Sequence, residues 1–163
     1  MSFKNILCFG TLNPDLIYFV DELPNKGDDI RSLNSSIRPG GTAINCSELI
    51  SLWNKSVHVR GNSIGSDPMG KYLVDYLKEN NINFDGLIIN QSLTPTCSIF
   101  VDSSGERTIV SSGYEGLEWS NFENLNNFDS LIIDRYSIKF IKDKLKDLKK
   151  QNNLFVCQAG YEY

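Results

Sequence analysis

The chain has 163 residues, enough for one domain with a substantial core and too few for two. Apolar residues make up 40% and charged residues 22%, and 16 Lys and Arg against 20 Asp and Glu leave a net charge of −4. That balance excludes a surface built chiefly for nucleic-acid backbones or anionic membranes, which need clustered Lys and Arg.

From the N-terminus, ILCFG at 6–10 is a continuous apolar run closed by Gly10, the pattern of a strand buried on both faces of a parallel sheet. MSFKNILCFG enters that strand without a cleavable apolar leader. LIYFVD at 16–21 and DIRSLNSSI at 29–37 flank the turn-rich ELPNKGD and predict a hairpin. Gly40 and Gly41 then precede a helix with Ala43, Ser47, Ile50 and Trp53 on one face, and SVHVRG at 56–61 predicts the next strand. SDPMGKYLVDYLKENN carries clear helix-start signals. Ser66 or Asp67 can cap it, Pro68 suits its first turn, and Met69, Tyr72, Leu73, Tyr76 and Leu77 form one apolar stripe. GLIIN at 86–90 predicts a strand, and TCSIFVDSSGERTIVSS at 96–112 a second hairpin turning at SSGE. SLIID at 130–134 predicts another strand. SIKFIKDKLKDLKKQN follows as a helix with Ile138, Ile141, Leu145 and Leu148 inward and KDKLKDLKK (142–150) as its solvated face. LFVCQ at 154–158 is the last strand.

Strands alternating with amphipathic helices predict a layered α/β sandwich, with hairpins at about 16–38 and 96–112 projecting from it. The sequence stops just after a strand that reads as central, with no covering helix behind it, so the expectation is a partial domain, the first half of a larger fold. No run of about 18 apolar residues is available for a membrane span. Cys8, Cys46, Cys97 and Cys157 are scattered without a CxxC pair, and the one histidine has no partner, so neither a disulfide framework nor a metal site is predicted. Cys8 and Cys157 lie in apolar runs as small buried hydrophobes. A reducing, cytoplasmic setting fits these features.

Three motifs carry possible chemistry. In GSDPMGKY, Gly65 and Gly70-Lys71 imitate the core of a phosphate-binding loop, but Tyr72 stands where Ser or Thr must hold Mg²⁺. Asp67 would repel phosphates and Pro68 lacks an amide donor, so helix capping accounts for the same letters. His58 alternates with Val57 and Val59 in a strand and reads as structural. GGTAIN is of another kind. Paired glycines allow close backbone approach to a ligand, a helix N-terminus offers amide donors to oxygen-rich groups, and Asn45 both donates and accepts, as a hydroxyl does. Asn13 and Asp15 follow the first strand, where open α/β sheets place ligand groups. Taken singly, the glycine pair also suits a plain turn, and Asn13 and Asp15 suit turn and capping chemistry.

Together these stretches resemble the ribokinase (PfkB) family of sugar and nucleoside kinases. The matching elements are Gly10, Asp15, VDELPNKGD, GGTAINCS and IGSDPMG heading a helix, in order across residues 5 to 112. The match is looser at LWNK after the first helix. The resemblance implies a ribokinase-like three-layer α/β sandwich whose two hairpins form a small β-strand lid over the phosphate acceptor, a lid that often makes dimer contacts. Carried over by position, Asn13 and Asp15 would bind acceptor hydroxyls, Gly40 and Gly41 would admit the backbone to the sugar, and Asn45 would bind a further hydroxyl. Thr42 stands where ribokinase-like members often have Lys, and Asp134 and Arg135 are candidates for facing the pocket.

The implied chemistry is transfer of the ATP γ-phosphoryl group to a hydroxyl of a sugar or nucleoside, with ATP and Mg²⁺ as cofactors. In the family, a Gly-Ala-Gly-Asp motif in the C-terminal half supplies the base and most of the ATP site. No such motif occurs in these residues, so the expectation is an acceptor-binding half whose activity alone is doubtful, completed by a C-terminal half or paired as a homodimer through the lid. The alternative is a non-catalytic remnant that binds a polyol or a protein partner. A dinucleotide-binding protein is disfavoured by the lack of a G-x-G-x-x-G fingerprint.

Overall fold

The structure is a computed structural model and describes residues 5–53, 55–121, 124–141 and 154–157. Strand β1 (Asn5–Gly10) buries Ile6 and Cys8 against one apolar cluster and Leu7 and Phe9 against another, which is why its sequence is apolar without alternation. It leads into β2 (Asn13–Phe19), which pairs antiparallel with β3 (Asn34–Gly40). Helix α1 (Thr42–Ser51) then returns the chain to β4 (Ser56–Gly61), parallel to β1. After the two-residue strand β5 (Ile64–Gly65) comes α2 (Pro68–Glu79), followed by β6 (Ile89–Asn90) beside β5. β7 (Thr96–Val101) and β8 (Arg107–Ser112) form the second hairpin. A 3₁₀ turn at Leu125–Asn127, β9 (Ser130–Ile133), the helix α3 (Ile138–Ile141) and β10 (Leu154–Cys157) follow.

The central sheet has the order β10-β9-β1-β4 and is parallel throughout. Ala43, Ile44 and Ile50 of α1 and Leu73 and Leu77 of α2 cover one face, while Leu125 and Phe128 pack under the other. The hairpins join through a parallel β2–β7 pairing into a separate four-stranded sheet, β3-β2-β7-β8. The two expected hairpins thus share one sheet distinct from the sandwich, the lid sheet. Among the described residues, no helix is long and apolar enough to cross a membrane.

Several expectations change in detail. The first hairpin has arms at 13–19 and 34–40 instead of 16–21 and 29–37. Pro14 and Pro39 oppose each other at the lid's root; β3 is an edge strand, where proline is tolerated, and Pro14 precedes the β7 pairing, which starts at Asp15. Trp53 is not on the buried helix face but 70% exposed, because α1 ends at Ser51 and the helical period does not carry that far. GLIIN is strand only at Ile89–Asn90, since Gly86 (φ +87) and the Leu87 N–H to Phe84 C=O bond make its first part a turn. Ile138 is 40% exposed; Ser137 is the residue that turns inward. β10 lies beside β9 at one end of the described sheet. The predicted face at 142–150, with Leu145 and Leu148, lies outside the described residues, as do the side-chain surroundings of Ile141 and Cys157.

Candidate functional site

Three elements meet where β1 ends. Thr11, the residue after Gly10, receives the entrance of α1: its carbonyl accepts the Ala43 N–H at 3.1 Å and its Oγ1 accepts the Thr42 N–H at 3.2 Å. Asp134 holds Thr11 in turn, with Oδ2 accepting the Thr11 N–H at 2.8 Å and its hydroxyl at 3.2 Å. The other oxygen, Oδ1, accepts from the Ser137 N–H and Oγ at 2.9 and 2.8 Å. Two amides of α1 that were expected to face a ligand are therefore used internally to fix the helix start.

Gly41, the N-cap of α1, has φ +85 and ψ 152, a conformation essentially reserved for glycine. A Cβ at this position would overlap the Thr11 carbonyl and lie 2.9 Å from Asn13 Oδ1. The glycine is demanded by a close passage of two backbones, and it leaves open space above the helix entrance. That space is a cavity of about 1020 Å³. Thr11, Asn13, Asp15, Gly41, Thr42 and Asn45 form its floor, Cys97, Ile99, Arg107 and Ile109 of the lid form its roof, and Tyr114, Tyr136 and Lys139 stand at its side.

Asp15 is half-buried on β2, and its Oδ1 accepts from Asn13 Nδ2 at 2.6 Å. Burial raises its pKa above the ordinary carboxylate value, against the opposing effect of that hydrogen bond. Asn13 is 2% exposed, and its Oδ1 accepts the Tyr114 hydroxyl at 2.8 Å. Its polar groups are thus engaged within the protein. Gly40 stands behind the Asp15 carboxylate, which a Cβ at Gly40 would overlap. Asn45 is exposed to the cavity in the first turn of α1. Four of the five expected binding residues, Asn13, Asp15, Gly41 and Asn45, line one cavity, and Gly40 packs behind the Asp15 carboxylate.

Asp134 and Arg135 do not line it. Asp134 is 1% exposed and committed to Thr11 and Ser137, while the Arg135 guanidinium lies outside over the Tyr136 ring at 4.6 Å. Tyr136, the next residue, reaches the wall instead, as does Tyr114; neither belongs to a motif. The only sequence signal for Tyr114 is its position between Gly113 and Gly116, just past β8.

The turn that imitates a phosphate loop is closed on itself. Asp67 caps α2 through the Gly70 N–H at 2.8 Å and also accepts the Thr94 N–H and hydroxyl at 2.8 and 2.6 Å. The Gly65 N–H donates to Thr94 Oγ1 at 2.9 Å. Tyr72 donates its hydroxyl to the Ile37 carbonyl at 3.1 Å and ties α2 to the lid. His58 lies on β4, its ring edge-on to Phe128 at 5.0 Å and away from the cavity.

The sequence matches the pfkB family carbohydrate kinases over residues 4–157. It is 28% identical over 108 residues to ribokinase of Dictyostelium discoideum, a stretch covering 66% of this chain and 34% of that protein. It is 30% identical over 112 residues to ketohexokinase of Mus musculus, covering 68% of this chain and 37% of that one. The fold superposes on Arabidopsis thaliana ribokinase complexed with ribose and ATP at a TM-score of 0.76, with 18% identity over 99% of this chain and 55% of the other. The chain thus spans between about a third and about half of these proteins' lengths.

Proposed function

The chain belongs to the pfkB family of carbohydrate kinases, and from that premise we propose that its cavity binds the sugar or nucleoside acceptor of an ATP-dependent phosphoryl transfer. The observation that carries this reading is the convergence of Asp15, Gly41 and Asn45, from β2, the turn before α1 and α1 itself, on one cavity under the lid. An ionised Asp15 only accepts hydrogen bonds and fixes the direction of a hydroxyl donor; Asn45 donates and accepts, so it serves a second hydroxyl. Gly41 removes the side chain that would fill the floor. Ile99 and Ile109, paired across β7 and β8, offer the roof an apolar surface for the C–H face of a sugar ring and exclude water from it.

ATP, when bound, supplies the γ-phosphoryl group. The Gly65–Gly70 turn does not fit its phosphates, since its amides are already bonded. Among the described residues no group of three or more His, Cys, Asp or Glu is placed to hold a metal ion; Mg²⁺, when bound with ATP, would neutralise phosphate charge. These residues bind and orient; proton removal belongs by resemblance to the Gly-Ala-Gly-Asp motif, which the 163 residues lack. Free thiols at Cys8, Cys46 and Cys97 support a reducing, cytoplasmic setting. Exposed Ile37 and Val110, on the lid face opposite the cavity, support contact with a second copy.

Calorimetric titration with D-ribose, D-fructose and adenosine tests the reading. Saturable binding of at least one is expected, weakened about tenfold or more by Asp15→Ala, as suits a lost hydrogen bond to a charged group. Binding of none, or equal affinity in the variant, overturns it.

A further inference from the structure

The loop that leaves β8 turns back at Gly113 (φ +78) and Gly116 (φ +70), and between them Tyr114 enters the cavity wall beside the floor strand β2. Its hydroxyl does not point at open space. It donates to Asn13 Oδ1 at 2.8 Å, and Asn13 Nδ2 donates to Asp15 Oδ1 at 2.6 Å. The Cys97 Sγ, on the lid strand paired with β2, lies 3.7 Å from the same hydroxyl and 3.4 Å from Ser111 Oγ.

The polarity of this chain follows from its end. A carboxylate accepts only, so the Asn13 amide must turn its nitrogen towards Asp15. Its oxygen then faces the protein, where an unpaired buried acceptor is costly, and Tyr114 is the donor that satisfies it. Gly40 leaves room for the carboxylate so held. Among the described residues Asp15 Oδ2 has no hydrogen bond within the protein and is left for a ligand.

We propose that Tyr114 is a positioning residue of the acceptor site, setting through Asn13 the direction in which Asp15 presents its free oxygen, an assignment that rests on Asp15 being the acceptor-binding carboxylate. Because only Gly113 separates Tyr114 from β8, the lid's last strand and the site's anionic group are linked by two hydrogen bonds. A shift of the lid root is thereby passed to the carboxylate.

Removing the hydroxyl frees the Asn13 amide to reorient, and Asp15 then loses a hydrogen bond that opposes the upward effect of burial on its pKa. The ionisable groups facing Asp15 are Arg38 opposite it on β3, Cys97 opposite it on β7, and Tyr114 itself. The test is Tyr114→Phe, which keeps the ring, examined alongside Asn13→Ala and the double variant. Carbon-13 NMR titration of the Asp15 carboxyl needs no ligand. It is expected to move upward by about half a unit or more in each single variant, with the double variant no further displaced than Asn13→Ala, as a shared path requires. In parallel, affinity for whichever of D-ribose, D-fructose and adenosine binds best is expected to fall about fivefold or more in Tyr114→Phe. An unmoved Asp15 titration, additive shifts in the double variant, or loss of the folded amide spectrum in Tyr114→Phe overturns the assignment. If the wild-type chain binds none of the three while the Asp15 titration moves as expected, the acceptor reading fails and the hold of Tyr114 on Asp15 stands.

Discussion

At Asp15, burial and hydrogen bonding pull in opposite directions, and burial wins, so the carboxyl's pKa lies above its usual value. An acid whose pKa is raised on folding adds stability below its unfolded pKa and loses it as the pH rises through the folded value. At neutral pH the ionised group therefore works against the fold, while ligand binding needs it ionised. Asp15→Asn is expected to leave the melting temperature at pH 7 unchanged or higher, while weakening sugar binding about tenfold; a lower melting temperature with full affinity contradicts this. Asn45 separates the same two properties differently. It is exposed in the first turn of α1, where Ala is the better helix former. Asn45→Ala should keep or slightly raise thermal stability in calorimetry and lose affinity for the sugar. At this scale the letters pointed to Asp15, Gly41 and Asn45 only in combination, because a carboxylate at a strand exit and a glycine at a helix entrance each also suit a turn or a cap. They were uninformative for Tyr114 and Tyr136, whose arrival at the cavity depends on loop paths and not on any local pattern.

Helices α1 and α2 both begin at glycine-bearing turns, yet the two turns do opposite things. Before α2, Asp67 draws together the amides of Gly70 and Thr94, leaving nothing for a ligand. Its partial burial disfavours ionisation, but hydrogen bonds from Thr94, Gly70 and Met69 outweigh that and hold the carboxyl below its ordinary value. A depressed acid contributes stability above its unfolded pKa, near 3.9, and loses it as the pH falls through the folded value. Asp67→Ala should cost about 1–2 kcal/mol in urea unfolding at pH 7, as a lost N-cap does, with the difference shrinking on acidification and with sugar affinity intact. Before α1, the special backbone of Gly41 brings Thr11 into contact with the helix start. Gly41→Ala is expected to destabilise by about 2 kcal/mol or more, from backbone strain plus overlap with the Thr11 carbonyl; a neutral result in the same unfolding experiment contradicts the close passage. The element boundaries that differ from the sequence pattern have local causes: the β2–β3 pairing runs on through Pro14 and Pro39 to Gly40, and a turn at Gly86 shortens the strand that follows it.

Across the molecule, β1 is the hinge of the design: apolar on both faces, it anchors the core, and its C-terminal end delivers the chain into the lid sheet through Thr11. The alternation of strands and helices was legible because each apolar run matches a layer of the sandwich. The joining of two hairpins into one sheet was not, because the β2–β7 pairing links residues far apart in sequence that no short-range pattern relates. That pairing is what turns two projecting hairpins into a roof. The most direct measurement is proton–nitrogen NMR of the chain titrated with the best-binding of D-ribose, D-fructose and adenosine. Shifts are predicted at Asp15, Gly41, Asn45 and the lid residues Ile99 and Ile109, with the Gly65–Gly70 turn unaffected. Shifts centred on Gly65–Gly70, or spread without the Gly41–Asn45 segment, would contradict an acceptor site beneath the lid.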